Sequence, residues 1–171
     1  ETGKLVWEQD FSAYGRGGND CGICLLDGKV YYSTFFGYAS NKRQRRGLPT
    51  DNNGLTACLE PDTGKVVWLT TEYYVTSKCT LSARDGRLYI GGFNRAIEGT
   101  DDRFVWCLDA EDGSLLWRFE NVSNPIANVA TPVYSDGHVF TRTGISSTGC
   151  LTFHPTSTIC SSTLATICAS A

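Results

Sequence analysis

Thr2-Gly3-Lys4-Leu5-Val6-Trp7, Thr63-Gly64-Lys65-Val66-Val67-Trp68 and Asp112-Gly113-Ser114-Leu115-Leu116-Trp117 are copies of one pattern, with Trp always four residues after Gly. Two further signatures interleave with it. An Asp-Gly step leads a β-prone run in Asp27-Gly28-Lys29-Val30-Tyr31-Tyr32, in Asp85-Gly86-Arg87-Leu88-Tyr89-Ile90 and in Asp136-Gly137-His138-Val139-Phe140-Thr141. A Leu-acidic pair precedes the Trp pattern in Ala57-Cys58-Leu59-Glu60 and Trp106-Cys107-Leu108-Asp109, with a degenerate copy at Gly149-Cys150-Leu151. Signatures that recur in one fixed order mark an internal repeat, and the repeat unit sets the fold.

Each repeat reads as four short strands. Strand A enters through Cys21 to Leu26, Cys79 to Arg84 and Ala130 to Ser135. The Asp-Gly step then reverses the chain into strand B, with Gly free to take positive φ. Strand C ends on the Leu-acidic pair. A second tight turn, Glu60-Pro61-Asp62-Thr63-Gly64 or Asp109-Ala110-Glu111-Asp112-Gly113, uses Pro or Ala, acidic residues and Gly as turn formers. Strand D then ends on the Trp. Four antiparallel strands per unit of this length predict an all-β chain, a partial β-propeller of four-stranded antiparallel blades.

The acidic-x-x-Thr-Gly-x-x-x-Trp pattern, as in Glu60-Pro61-Asp62-Thr63-Gly64-Lys65-Val66-Val67-Trp68, resembles the PQQ-like (quinoprotein-type) repeat. The resemblance covers residues 1–151. It implies that Trp7, Trp68 and Trp117 dock one blade on the next, each with its turn glycine, Gly3, Gly64 and Gly113. A large aromatic with one N–H donor suits such a packed seam. The repeat occurs both in quinoprotein dehydrogenases and in non-enzymatic outer-membrane assembly lipoproteins, so it is specific for the fold and silent on activity. It implies a periplasmic or secreted home.

Residues 1–151 are expected to form blades of an incomplete ring, and 152–171 a separate Ser/Thr/Cys-rich tail, disordered or out of frame. From Thr143 onward the chain holds no Asp, Glu, Lys or Arg. About three blades do not close a ring, which takes 4–8, so the remaining blades of a larger propeller are expected partners. The net charge of −3 weighs against nucleic acid, and no run approaches the length of a membrane-spanning helix.

Alternation places the tight A–B and C–D turns on one face of the disc and the long B–C and D–A loops on the other, where binding is expected. There the repeat brings Asn19 and Asn128 into register, with Asp20 beside Lys78 around the axis. These residues are candidate ligand-binding positions, a polar collar, or else a solvated ion pair. The basic run Lys42-Arg43-Gln44-Arg45-Arg46 reads as a solvated loop, and Asn121-Val122-Ser123 is a glycosylation sequon. His138 and His154 have no partners in the sequence pattern for a metal or a nucleophile–base pair.

Cysteine is abundant at 8 residues. Cys21-Gly22-Ile23-Cys24 has zinc-knuckle spacing, but no second pair follows and strand alternation turns the two thiols to opposite faces. Cys21 stands in register with Cys79, and Cys58 with Cys107 and Cys150. These positions suit small buried residues between blades, and a Cys21–Cys79 bridge stays open.

No catalytic or metal-binding set emerges. The favoured expectation is therefore a non-enzymatic scaffold, with no cofactor evident, that binds a protein or small ligand on its long-loop face. The alternative is part of a PQQ-dependent quinoprotein dehydrogenase, in which PQQ and Ca²⁺ carry the redox chemistry. No residue matches the oxygen ligands or catalytic carboxylate which that alternative requires, and the family's adjacent cysteine pair is absent.

Overall fold

The computed structural model describes residues 3–15, 22–36, 54–73, 75, 80–91, 105–119, 131–136, 138–142 and 150–153. Every described element is a strand. The first sheet is built from β1 (Ile23–Leu26), β2 (Lys29–Phe35), β3 (Gly54–Leu59) and β4 (Val66–Thr70), in that order. The second repeats it with β5 (Ser82–Arg84), β6 (Arg87–Gly91), β7 (Val105–Asp109) and β8 (Leu115–Phe119). The third sheet contains β9 (Val133–Ser135), β10 (His138–Arg142) and β11 (Cys150–Phe153). All neighbours pair antiparallel, as blades of a propeller.

The turns follow from their residues. At the A–B turns both central residues have positive φ: 48° and 73° at Asp27-Gly28, 50° and 70° at Asp85-Gly86. That is the hairpin turn whose twist matches the strands, and Asp-Gly is its preferred sequence. At the C–D turns the Gly64 and Gly113 amides donate to the Glu60 and Asp109 carbonyls at 2.8 and 2.9 Å. Asp109 and Asp112 carboxylates accept from the Glu111 and Ser114 amides, both at 2.8 Å. These bonds tie the turn before the strand begins.

Each C–D pair carries a bulge at the same place. Cys58 faces Trp68 but Leu59 faces Val66, and Cys107 faces Trp117 but Leu108 faces Leu115. One extra residue, Val67 or Leu116, is left unopposed. Strand D does not end on its Trp as the repeat suggested: β4 continues to Thr70 and β8 to Phe119. Strand A is shorter than the sequence suggested, beginning at Ile23, Ser82 and Val133.

One row of residues crosses each blade. In the first it is Cys24, Tyr31, Cys58 and Trp68; in the second, Ser82, Tyr89, Cys107 and Trp117. The Tyr and Trp rings meet alike, 6.2 Å apart and tilted 47° in the first blade, 6.0 Å and 45° in the second. The first row packs against the opposite face of the second blade, with Leu88, Ile90, Trp106 and Leu108 buried in the seam. The second row packs against Val139 and Tyr134 of the third blade. On the other face of the first blade, Phe11 stacks on Tyr32 over Leu55 and Ala57.

The third blade departs from its siblings in register. Val30 faces Leu59 and Leu88 faces Leu108. The sequence pattern puts Val139 opposite Leu151, but in the structure Val139 faces Phe153 and Leu151 faces Thr141. The A–B hairpin of this blade is in standard register, with Val139 facing Tyr134 as Val30 faces Leu25. The offset of two residues therefore belongs to β11. A two-residue slip keeps every residue on its own face, so face burial alone does not forbid it.

Candidate functional site

The best-defined polar geometry lies where one blade meets the turn of the next. Trp7 Nε1 donates to the Pro61 carbonyl at 2.6 Å, and Trp68 Nε1 donates to the Ala110 carbonyl at 3.0 Å. Each ring lies over the turn glycine of that same neighbour. A Cβ on Gly113 would stand 2.7 Å from Trp68 Cε3, and one on Gly64 would collide with Trp7. Both glycines also have positive φ, 76° and 67°. The site therefore requires glycine for two independent reasons: the backbone conformation and the space for the indole. Gly3, at φ 63°, has nothing within 4 Å of its Cβ position. Trp117 meets Tyr89 and the third blade instead.

Ala110 collects a second donor that the repeat did not announce. The Tyr31 hydroxyl, on strand β2 of the preceding blade, also reaches its carbonyl, at 3.2 Å. The Ala110 amide in turn donates to the Gly86 carbonyl at 2.9 Å, joining the two tight turns of one blade. Pro61 holds the equivalent place one blade earlier and has no N–H to do the same. A recurring aromatic at Tyr31, Tyr89 and Phe140 was the sequence signal for this contact, but only the structure shows which carbonyl it meets.

Tyr89 holds Tyr31's position one blade on. It is fully buried, and its hydroxyl has no hydrogen-bond partner among the described residues. Burial pushes its phenol up to about 12. Burial likewise raises the Tyr31 phenol, with Cys58 adding to the effect. The Cys24 and Cys107 thiols are pushed up to about 12 by burial, and Cys58 is raised for the same reason. All three are free thiols. Held protonated at neutral pH, they pack between blades and are poor nucleophiles.

An open groove of about 500 Å³ runs along the tight-turn end of the seam between the first two blades. Asp27, Asp85, Asp109 and Glu111 line it, with Arg87 and Tyr31. Among the described residues, however, no group of three or more His, Cys, Asp or Glu is placed to hold a metal ion. These residues do not gather into the oxygen cage of a Ca²⁺ site. They build a frame. The candidate collar residues Asn19, Asp20, Lys78 and Asn128 lie outside the described residues, as do Cys21, Cys79 and most of the long loops.

The repeated sheets and their carbonyl-and-glycine clamps define the class: four-stranded antiparallel blades of a propeller. Solved propellers match it. BamB from Moraxella catarrhalis superposes with a TM-score of 0.60 at 18% identity, over 91% of this chain and 41% of that one. A quinohemoprotein alcohol dehydrogenase from Pseudomonas putida gives 0.59 at 15% identity, over 89% and 21%. No family model matches the chain.

Sequence relatives narrow the family further. Over 143 residues the chain is 31% identical to the dehydrogenase subunit of alcohol dehydrogenase (quinone) from Gluconobacter oxydans, covering 72% of this chain and 16% of the relative. The subunit of the same name from Gluconacetobacter polyoxogenes is 30% identical over 141 residues, with the same coverage. The chain thus spans about one sixth of the length of the curated relatives it matches. These findings support the PQQ-like propeller family. They overturn the favoured reading of a cofactor-free, non-enzymatic scaffold, because the sequence relatives are dehydrogenase subunits. The error has a physical source. Trp, Gly and Asp-Gly are fixed by blade packing in enzymes and non-enzymes alike, so the lack of a catalytic set in these strands carried no information about activity.

Proposed function

We propose that this chain forms consecutive blades of a PQQ-dependent quinoprotein alcohol dehydrogenase. The observation that carries the reading is the 31% identity over 143 residues to a quinone-linked alcohol dehydrogenase subunit. The described residues supply the wall and its inter-blade clamps. PQQ, held with Ca²⁺ by blades outside this segment, would supply two-electron oxidation of an alcohol. The remaining blades of the ring are the chain's first partners, and the small-molecule alcohol is the second. The exposed apolar side chains of Ile23 and Leu25 support this, since they lie on a blade face that a neighbouring blade would cover. So do Leu5 and Val6, which adjoin the docked Trp7. A periplasmic or secreted location belongs to the same proposal. Among the described residues no helix is long and apolar enough to cross a membrane.

The test is to express the full reading frame that contains this chain, load it with PQQ and Ca²⁺, and desalt it. Retained PQQ absorbance together with alcohol-dependent reduction of an artificial electron acceptor supports the proposal. A folded protein that retains no PQQ and reduces no acceptor refutes it.

A further inference from the structure

The second seam holds a buried donor on one blade with no partner among the described residues, and on the next blade a strand two residues out of step, and the two features answer each other. At the first seam the Tyr31 hydroxyl is satisfied by the carbonyl of Ala110, two residues past Leu108. Leu108 is the residue that faces Leu88. At the second seam the equivalent hydroxyl, on Tyr89, is buried without a partner among the described residues. The carbonyl that the repeat assigns to it is that of Phe153, two residues past Leu151. In the structure Phe153 has moved back to face Val139, where Leu151 belongs by the repeat. Two residues of strand are about 7 Å, enough to remove the carbonyl from the hydroxyl altogether.

We propose that β11 exchanges between two registers, the observed one and a minor one shifted by two residues, and that in the minor register the Tyr89 hydroxyl donates to the Phe153 carbonyl. The shift preserves the face of every residue. It brings either Phe153 or Leu151, both apolar, to the position opposite Val139 that Leu59 and Leu108 hold opposite Val30 and Leu88 in the other blades. What pins those siblings is the C–D turn, where the Gly64 and Gly113 amides are fastened to the Glu60 and Asp109 carbonyls. The Thr-Gly-x-x-x-Trp sequence that makes this turn does not follow Leu151. Register is weakly specified where hairpin geometry does not fix it.

Native Cys150 reports both states. It faces Arg142 in the observed register and would face Phe140 in the shifted one. Arg142→Cys and Phe140→Cys are introduced separately into the full chain, oxidised, and their linked peptides followed by mass spectrometry. The expected result is rapid 142–150 linkage and slower but definite 140–150 linkage. Tyr89→Phe should then slow the 140–150 linkage about fivefold, the factor one ordinary hydrogen bond supplies. Absence of 140–150 linkage overturns the proposal, as does linkage indifferent to Tyr89→Phe. If Phe140→Cys fails to fold, His138→Cys with Thr152→Cys in a Cys150→Ser background reports the same shifted register and leaves Phe140 in place. That pair must link, and link more slowly with Tyr89→Phe, or the shifted register does not exist.

Discussion

The two blade seams of this chain use one design and complete it to different degrees. At the first, a Tyr–Trp pair on one blade directs two donors at a single carbonyl, Ala110, on the next. A glycine beneath the indole lets the blades close. At the second, the same Tyr–Trp pair is set at almost the same distance and tilt, yet the Tyr89 hydroxyl meets no acceptor among the described residues and β11 lies two residues out of register. The blades hold their own geometry without the clamp, because hairpin turns and cross-strand pairs are local. The clamp depends on the neighbour's C–D turn. Blade and seam are thus separable sources of stability, as expected when each repeat contacts only its neighbours.

The largest effect should come from emptying the first seam. Trp68→Ala removes a ring packed over Gly113 and the bond to Ala110, and should cost about 3–5 kcal/mol in denaturant unfolding. Trp117→Ala should cost less, and equal losses would break the comparison. Next comes the floor of the clamp. Gly113→Ala meets both a ring 2.7 Å away and a positive φ, and should cost about 2–5 kcal/mol. Gly28→Ala, with positive φ but open space, should cost only about 1–2 kcal/mol.

Alkali probes both seams through their thiols. Cys24 at the first and Cys107 at the second rise from 9.0 to about 12 on folding. Their contribution to stability is whole below about pH 9, where both states are protonated. It is lost as pH rises towards 12, because the unfolded chain ionises first. Stability should fall by up to about 1.4 kcal/mol per pH unit for each group. Cys107→Ala should make the fall between pH 9 and 12 shallower in equilibrium unfolding, and an unchanged slope would place the alkaline loss elsewhere.

Much of this was legible in the sequence where a residue's role is local. The Asp-Gly steps gave their hairpins, and the Leu-acidic pairs closed strand C at Leu59 and Asp109. The seam was less legible. Pro61 and Ala110 act through a backbone carbonyl, and every residue owns one, so no side-chain pattern marks them. The slip of β11 was hidden because a shift by the strand's own period leaves apolar alternation intact. Strand D overran its Trp since the bulge at Cys58 and Cys107 consumes a residue that simple alternation does not count. The candidate collar at Asn19, Asp20, Lys78 and Asn128 lies outside the described residues, and the turn and seam residues are set by blade packing, which is silent on activity.

The smallest effect is the most direct test that the neighbour's turn carbonyl is what clamps a seam. Tyr31→Phe and Tyr89→Phe each delete one buried hydroxyl from the same position of successive blades, and the unfolding free energies of the two variants are compared with the parent chain. The account predicts that Tyr31→Phe costs about 1 kcal/mol, because a satisfied bond to Ala110 is lost. It predicts that Tyr89→Phe costs nothing or stabilises by up to about 1 kcal/mol, because an unpartnered polar atom leaves the core. Equal losses at the two positions, or the larger loss at Tyr89, would contradict it.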